Sequence, residues 1–198
     1  MDLIKLREQT AERKAALRSL LRAKRRELEP CEVEAASNAV CKKLAELEEF
    51  KRAELMLAYM AAKNELDPSS AVRDARAQGK RIAFPLCIEN GGLRLLVPND
   101  ESAFKTGSYG IMEPDEARST EVFPEQLDLI IAPAVAFNSD CQRLGQGGGY
   151  YDRLLKKARC FTVGIGYDFQ LIEDLPIEEH DICLDAVLLP SFNFRKSR

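Results

Sequence analysis

The chain has 198 residues, 45% hydrophobic and 31% charged, with a formal net charge of −3. That length suits one α/β domain, or a domain carrying a helical appendage, and the small negative charge argues against general nucleic-acid affinity. No apolar run approaches the ~20 residues of a membrane span, and six cysteines without a C-x-x-C pair exclude the usual zinc and thioredoxin-like patterns, so they are read as free thiols.

The first residues, Met1 to Arg7, lack the apolar core of a secretory signal and are followed by Glu8 and Glu12, so a cytosolic protein is expected. Residues 3–28 read as one long helix, with Leu17, Leu20, Leu21 and Leu28 on one stripe. Lys14, Arg18, Arg22 and Arg25 form a neighbouring stripe, about a quarter-turn round at ~100° per residue. Charge is unevenly spread: residues 1–26 hold nine basic and three acidic side chains, whereas the remainder carries a net −9. A basic first helix on an acidic body points to a local anion site, although a solvated face has the same pattern.

Pro30 ends the first helix, and a second runs from about Glu32 to Glu49. Ala53–Ala62 reads as a strand. Asp67-Pro68 opens a helix that runs to Gln78 and stops at Gly79. Arg81–Ile88 and Leu93–Val97 are strands joined through Glu89-Asn90-Gly91-Gly92, a hairpin signal. Ser108–Pro114 reads as loop, and Leu127–Phe137 as the central strand. Tyr150–Arg159 is helical, and Phe161–Tyr167 and Ile182–Leu189 are further strands. Strands alternating with helices predict a three-layer α/β sandwich, a largely parallel but mixed sheet with helices on both faces. Without a linker or repeat, residues 1–198 are expected to form one domain, the helical segment 1–50 packed on it.

Chemistry concentrates between the central strand and the helix that follows, in Arg143-Leu144-Gly145-Gln146-Gly147-Gly148-Gly149-Tyr150-Tyr151-Asp152-Arg153. Strand, glycine loop and helix place bare backbone N–H groups against a phosphate. The loop is not a Walker A motif, since no Gly-Lys-Ser/Thr follows, and Tyr150 breaks the order G-x-G-x-x-G. Arg143 supplies a fixed positive fork, and Asp152, in the first helical turn, is placed to hold a divalent cation on phosphate oxygens. Tyr150 and Tyr151 either stack on a flat heterocycle or pack the helix start.

Ligands of a parallel sheet gather at the carboxyl ends of its strands, where Lys63, Asn64, Glu65 and Asp67, then Tyr167, Asp168 and Gln170, also fall. Glu65 is either a substrate-orienting carboxylate or part of a helix cap. Asp181, beside the only histidine, His180, is a second metal or phosphate candidate or a turn cap. Cys141 has no histidine nearby in sequence to activate it and reads as a spectator. Cys87, Cys160 and Cys183 lie in apolar runs and read as core.

These residues, together with Tyr109-Gly110-Ile111-Met112-Glu113-Pro114 and Gly164–Gln170, occur in the order found in the 5-formyltetrahydrofolate cyclo-ligase (methenyltetrahydrofolate synthetase) family, which the chain resembles over nearly its whole length. The resemblance implies Mg2+- and ATP-dependent closure of 5-formyltetrahydrofolate to 5,10-methenyltetrahydrofolate through a phosphorylated formyl group. It implies that Lys14, Arg18 and the stretch Arg143, Leu144, Gly145, Gln146, Gly147, Gly148, Gly149, Tyr150 and Tyr151 bind ATP, with Arg143 and Tyr151 as catalytic residues. Met60, Glu65 and the loop from Gln146 to Tyr150 would meet the folate, and Asp152 and Asp181 would ligate the metal. Gly148 stands where some relatives have lysine, which would leave Arg143 and the basic stripe more charge to neutralise. The expected partners are small molecules (ATP and a reduced folate) and not nucleic acid or membrane, with the protein a monomer. Two other readings stand beside this one: a phosphate-using enzyme such as a sugar-phosphate isomerase or CoA-transferase-like protein, and a module that binds nucleotide or folate without turnover.

Overall fold

The chain begins with two helical signals separated by Pro30. In the computed structural model, which describes residues 3–88, 92–100, 102–107, 112–178 and 181–196, helix α1 spans Leu3–Arg26 and α2 spans Pro30–Glu46. Pro30 therefore opens the second helix and does not merely end the first. Its missing N–H costs nothing in the first turn, and the Glu29 amide donates to Glu32 Oε2 at 2.9 Å. The expected single helix to residue 49 is broken at Leu47, and α3, Glu48–Arg52, follows as a separate short turn.

The remaining elements are β1 Leu55–Leu57, α4 Ser69–Ala77, β2 Arg81–Ile88, β3 Gly92–Pro98, β4 Phe104–Thr106, β5 Met112–Pro114, β6 Ser119–Val122, β7 Leu129–Ala132, β8 Ala136–Phe137, β9 Arg143–Leu144, α5 Tyr150–Leu155, β10 Phe161–Ile165, β11 Ala186–Leu188 and β12 Asn193–Arg195. Among the described residues, eight strands form a mixed sheet in the order β12-β11-β10-β7-β1-β2-β3-β6. The five central strands, β11 to β2, run parallel. The edges are antiparallel: β12 on β11, and β3 and β6 beyond β2. The largely parallel mixed sheet expected from the strand–helix alternation is thus present.

Alternation along the strands builds the layers. Met56, Ile82, Leu129, Ile131, Val163 and Leu188 face one side, where α2 and α4 supply Val40, Leu44, Val72 and Ala75, and α3 supplies Phe50. Leu57, Ala83, Ile130 and Val187 face the other, where α5 supplies Leu154 and Leu155. Asp128 locks the middle of the sheet, its Oδ2 accepting the amides of Glu54 and Leu55 at 2.9 and 2.8 Å.

Several expectations are corrected by tertiary structure. The apolar run to Phe137 is two strands, because Pro133 cannot donate to the ladder and the chain turns before β8. The helix at Tyr150 stops at Leu155, where the chain turns back toward β10. Met112–Pro114 is a strand paired with β4, not loop. Leu20 is 64% exposed, although its chain neighbour Leu21 is buried. Cys87 is exposed and Cys160 and Cys183 are only partly covered, whereas Cys41 and Cys141 are buried. The hairpin residues Glu89, Asn90 and Gly91, the motif residues Tyr109, Gly110 and Ile111, and His180 lie outside the described residues. No described helix is long and apolar enough to cross a membrane.

Phe137 packs the hairpin that leads into the glycine loop onto the sheet. The buried Phe137 ring lies flat on β10, so a Cβ at Gly164 would come within 2.3 Å of Phe137 Cε1 and 2.7 Å of Leu184 Cδ1. Two side chains of a packed core would have to move. Gly164→Ala is therefore expected to lower stability by about 1–3 kcal/mol, read as a lower midpoint in denaturant unfolding; an unchanged midpoint would contradict this packing.

Candidate active site

Helix α1 lies across the carboxyl ends of the parallel strands. Leu21 is buried against Val135, Ala136, Leu144 and Leu175, with Leu17 beside it. That apolar seam aims the neighbouring basic stripe at the loops below. Lys14 Nζ donates to Glu178 Oε2 and Asp181 Oδ2, both at 2.6 Å. Arg18 Nε donates to the Gly145 carbonyl at 2.9 Å. Arg22 grips Gln146 twice, through its side-chain oxygen at 2.9 Å and its carbonyl at 2.8 Å. Arg25 Nη1 reaches Glu65 Oε1 at 3.2 Å. Four side chains spaced by four, four and three residues thus fasten one helix to three separate loops. Asn64, in left-handed backbone at φ 59°, closes the helix end by donating to the carbonyls of Arg25 and Leu28.

The glycine loop begins at β9, which pairs antiparallel with β8. Asn138 shapes that hairpin, its Oδ1 accepting the Gln142 amide at 2.9 Å. Cys141 sits at its tip in left-handed backbone and is fully buried. Burial pushes its thiol up to about 11, which fits the spectator reading. Gly147 at φ +108° and Gly149 at φ +66° hold conformations that L side chains rarely adopt. The expected open loop leading into a helix is therefore present, and α5 starts at Tyr150.

Arg143 is only 4% exposed, and its Nη2 donates to Asp152 Oδ1 at 2.6 Å. Its Nε has no hydrogen-bond partner. Burial lowers its pKa from the ordinary value, while Asp152 and, more weakly, Asp181 act to raise it; a guanidinium stays charged in any case. The Arg143 guanidinium also sits 5.8 Å from the Tyr151 ring centroid. The Tyr151 hydroxyl is buried without a partner, and burial drives its pKa well above the ordinary range, so it remains a proton donor at neutral pH. Tyr150 lies under Arg153 instead, 5.4 Å from the guanidinium.

Glu65 joins this network from the loop after β1. Its Oε1 accepts from Arg25 and from Gln146 Nε2 at 3.1 Å, so the carboxylate is held beside the glycine loop and is more than a helix cap. Met60 lies apart from it, lining a cavity of about 410 Å³ with Tyr59, Phe84, Phe104 and Met112. A smaller cavity of about 160 Å³ lies against the loop itself, between Pro85, Leu93 and Gly148 to Asp152. Phe84 and Pro85 are successive residues of β2, so the two cavities flank one strand. Gly148 has little room for a side chain: a Cβ there would meet Tyr150 Cε2 at 2.6 Å.

Asp152 and Asp181 both act on the charge of Arg18 and Arg143, so they belong to one electrostatic neighbourhood. Two carboxylates near one glycine loop are a donor set that suits Mg2+, which usually takes one or two carboxylates plus phosphate oxygens. Each carboxylate here is paired with a cation, Asp152 with Arg143 and Asp181 with Lys14, and no cluster of three or more metal-binding side chains occurs among the described residues. Gln170, singled out for its place at a strand end, is structural: its Nε2 donates to the carbonyls of Ala134 and Val135 at 3.0 and 2.9 Å. Sequence reading missed Glu178, the second partner of Lys14, which sits in an acidic loop with no motif around it. It also gave Arg22 and Arg25 no individual role, although their spacing continued the stripe.

Residues 10–190 match the sequence profile of the 5-formyltetrahydrofolate cyclo-ligase family. The 5-formyltetrahydrofolate cyclo-ligase of Escherichia coli K12 is 32% identical over 178 residues, covering 87% of this chain and 97% of that one. A probable 5-formyltetrahydrofolate cyclo-ligase of Schizosaccharomyces pombe is 30% identical over 195 residues, covering 90% and 95%. The solved structure of Aquifex aeolicus 5,10-methenyltetrahydrofolate synthetase superimposes with a TM-score of 0.82 at 34% identity, covering 92% of each chain. With the profile spanning almost all of the sheet and both ends of the α1-to-loop network, the chain belongs to the 5-formyltetrahydrofolate cyclo-ligase family.

Proposed function

We propose that this protein converts 5-formyltetrahydrofolate and ATP to 5,10-methenyltetrahydrofolate, ADP and phosphate. The observation that carries the reading is that Arg18 and the buried Arg143 stand at a loop with two left-handed glycines. An N-formyl amide is a poor electrophile. In the proposed reaction the formyl oxygen attacks the γ-phosphorus, the bond to ADP breaks, and an imino-phosphate forms at N5. N10 then attacks the formyl carbon and loses its proton. The C–O bond breaks, phosphate departs with the original formyl oxygen, and the N5–C–N10 amidinium remains.

That sequence requires positioning and charge neutralisation, and no protein nucleophile. In this reading the amides of Gly147 to Tyr150 and the cations Lys14 and Arg18 hold the phosphates. Arg143, already desolvated, faces the charge that develops during transfer. Its attraction is larger there than in water, and little reorganisation is needed. Tyr151 can only donate a proton-bearing hydroxyl, which suits an anionic oxygen. Asp152 and Asp181 would hold Mg2+, which on binding neutralises phosphate charge. Glu65 orients the folate from the network with Arg25 and Gln146, and Met60 lines the apolar cavity for its ring system. A cytoplasmic monomer is part of the same reading.

Near-ultraviolet absorbance of the methenyl product is expected to grow only when 5-formyltetrahydrofolate, ATP and Mg2+ are all present. Asp152→Ala and Arg143→Gln are each expected to reduce kcat by about 10²–10³. A folded wild-type protein with no product would overturn the reaction. Glu65→Gln keeps an acceptor for Arg25 and Gln146 but removes the charge. It is expected to raise KM for the folate roughly tenfold while KM for ATP stays within about twofold. Equal rises in both constants would remove Glu65 from folate binding.

A further inference from the structure

Between Leu144 and Tyr150 the glycine loop has a single side chain, that of Gln146. Gln146 is exposed, so the apolar core does not fix it and hydrogen bonds must. Arg22 Nε donates to Gln146 Oε1 at 2.9 Å, and Arg22 Nη2 donates to the Gln146 carbonyl at 2.8 Å. One guanidinium thus sets both the side chain and the main chain of the same residue, as its planar fork allows. Gln146 Nε2 passes the connection on to Glu65 Oε1 at 3.1 Å. The same oxygen accepts from Arg25 Nη1 at 3.2 Å, and Glu65 Oε2 accepts the Ala62 amide at 3.3 Å. Arg22 and Arg25 are three residues apart and so share one face of α1. Arg22, Gln146, Glu65 and Arg25 therefore close a ring that starts and ends on one helix. It joins the glycine loop to the loop after β1. Arg18, one turn before Arg22, holds the adjacent Gly145 carbonyl at 2.9 Å.

We propose that Arg22 is a positioning residue that couples the two substrate sites: nucleotide on the glycine loop tightens the binding of reduced folate at Glu65, and folate tightens nucleotide, through Gln146. The assignment rests on the reading of ATP and folate above and deepens it. A loop of four glycines loses much conformational freedom when a ligand orders it. The first ligand to bind bears that cost. Gln146 then carries the ordered state of the loop to the Glu65 carboxylate, so the second ligand meets a site already set. Such coupling is reciprocal by thermodynamic necessity. Without Arg22 the Gln146 amide is free to turn, and order in the loop no longer reaches Glu65. Lys14, Arg18 and the glycine amides still meet the phosphates, so the nucleotide site itself survives.

The test is calorimetric, with 5-formyltetrahydrofolate and the β,γ-imido analogue of ATP plus Mg2+ as probes. Kd for each is measured alone and with the other saturating, in wild type, Arg22→Gln, Arg22→Lys, Gln146→Ala and Glu65→Gln. In wild type each ligand is expected to tighten the other by the same factor, roughly tenfold. Arg22→Gln and Gln146→Ala should bring that factor below about twofold, while Kd for the analogue alone stays within about twofold of wild type. Arg22→Lys keeps a donor without the fork and should recover part of the coupling. Glu65→Gln keeps the acceptor for Gln146 and should retain it. The same factor in wild type and Arg22→Gln would overturn the proposal. Weaker binding of the analogue alone to Arg22→Gln with the factor unchanged would also overturn it, because Arg22 would then act on the phosphates directly. Coupling lost in Arg22→Gln but kept in Gln146→Ala would overturn the route through Gln146. Because the readout is a ratio within one protein, a general loss of stability cannot imitate it. Wild type that binds both probes independently and still forms product from ATP would sink the coupling and leave the reaction standing. Wild type that couples them without forming product from ATP would do the reverse, and wild type that binds neither would overturn both.

Discussion

Everything in the site depends on one row of cations being laid across the carboxyl ends of a parallel sheet. Lys14, Arg18, Arg22 and Arg25 reach the segment 178–181, the glycine loop and the loop after β1 from a single helix. Parallel strands end in loops that share no ladder with one another, so something must set their relative positions. Here it is α1, seated by Leu21 and closed at its end by Asn64. Losing the helix would leave the sheet intact and scatter the site.

The electrostatics of that arrangement are costly in the ground state and useful for chemistry. Lys14 and Arg143 are almost fully buried, and each is partnered by carboxylates. A buried ion pair gains little net stability, since desolvation offsets the attraction. Replacing Arg143–Asp152 with apolar side chains would cost the fold little by that argument. What it would remove is a charge fixed in a low-dielectric pocket with an unsatisfied Nε and, nearby, an unsatisfied Tyr151 hydroxyl. Unpaired buried donors are rare because they are expensive. Two of them stand beside one glycine loop.

Much of this was legible in the sequence, and what was not has physical causes. The glycine loop could be read because glycine, arginine and aspartate each serve a distinct need there. The α1 stripe could be read because a helix repeats its faces every three to four residues. Arg81–Ile88 matches β2 residue for residue, a strand whose apolar run is bounded by Gly79 and a glycine turn. Edge strands β4, β5, β6 and β12 were missed because three or four half-exposed residues carry no periodic signal. The strand after Ala53 came out at three residues rather than ten, since the chain then leaves the sheet for a loop whose Asn64 and Glu65 meet the end of α1. Within the site, the contribution of Glu178 could not be read, because it meets Lys14 across more than a hundred residues of chain and no local pattern marks it.

The central claim, that the α1 row and the glycine loop form one polyphosphate site, is tested most directly by titrating Mg-ATP calorimetrically into wild type and Arg18→Gln. Among the described residues, Arg18 hydrogen-bonds to the fold through the Gly145 carbonyl, and it is half-exposed, so the variant is expected to fold. The account predicts measurable binding by wild type and a Kd raised about 10- to 100-fold in the variant, consistent with the loss of a charge-assisted contact. Equal affinities in the two proteins would contradict it and place the phosphates away from α1.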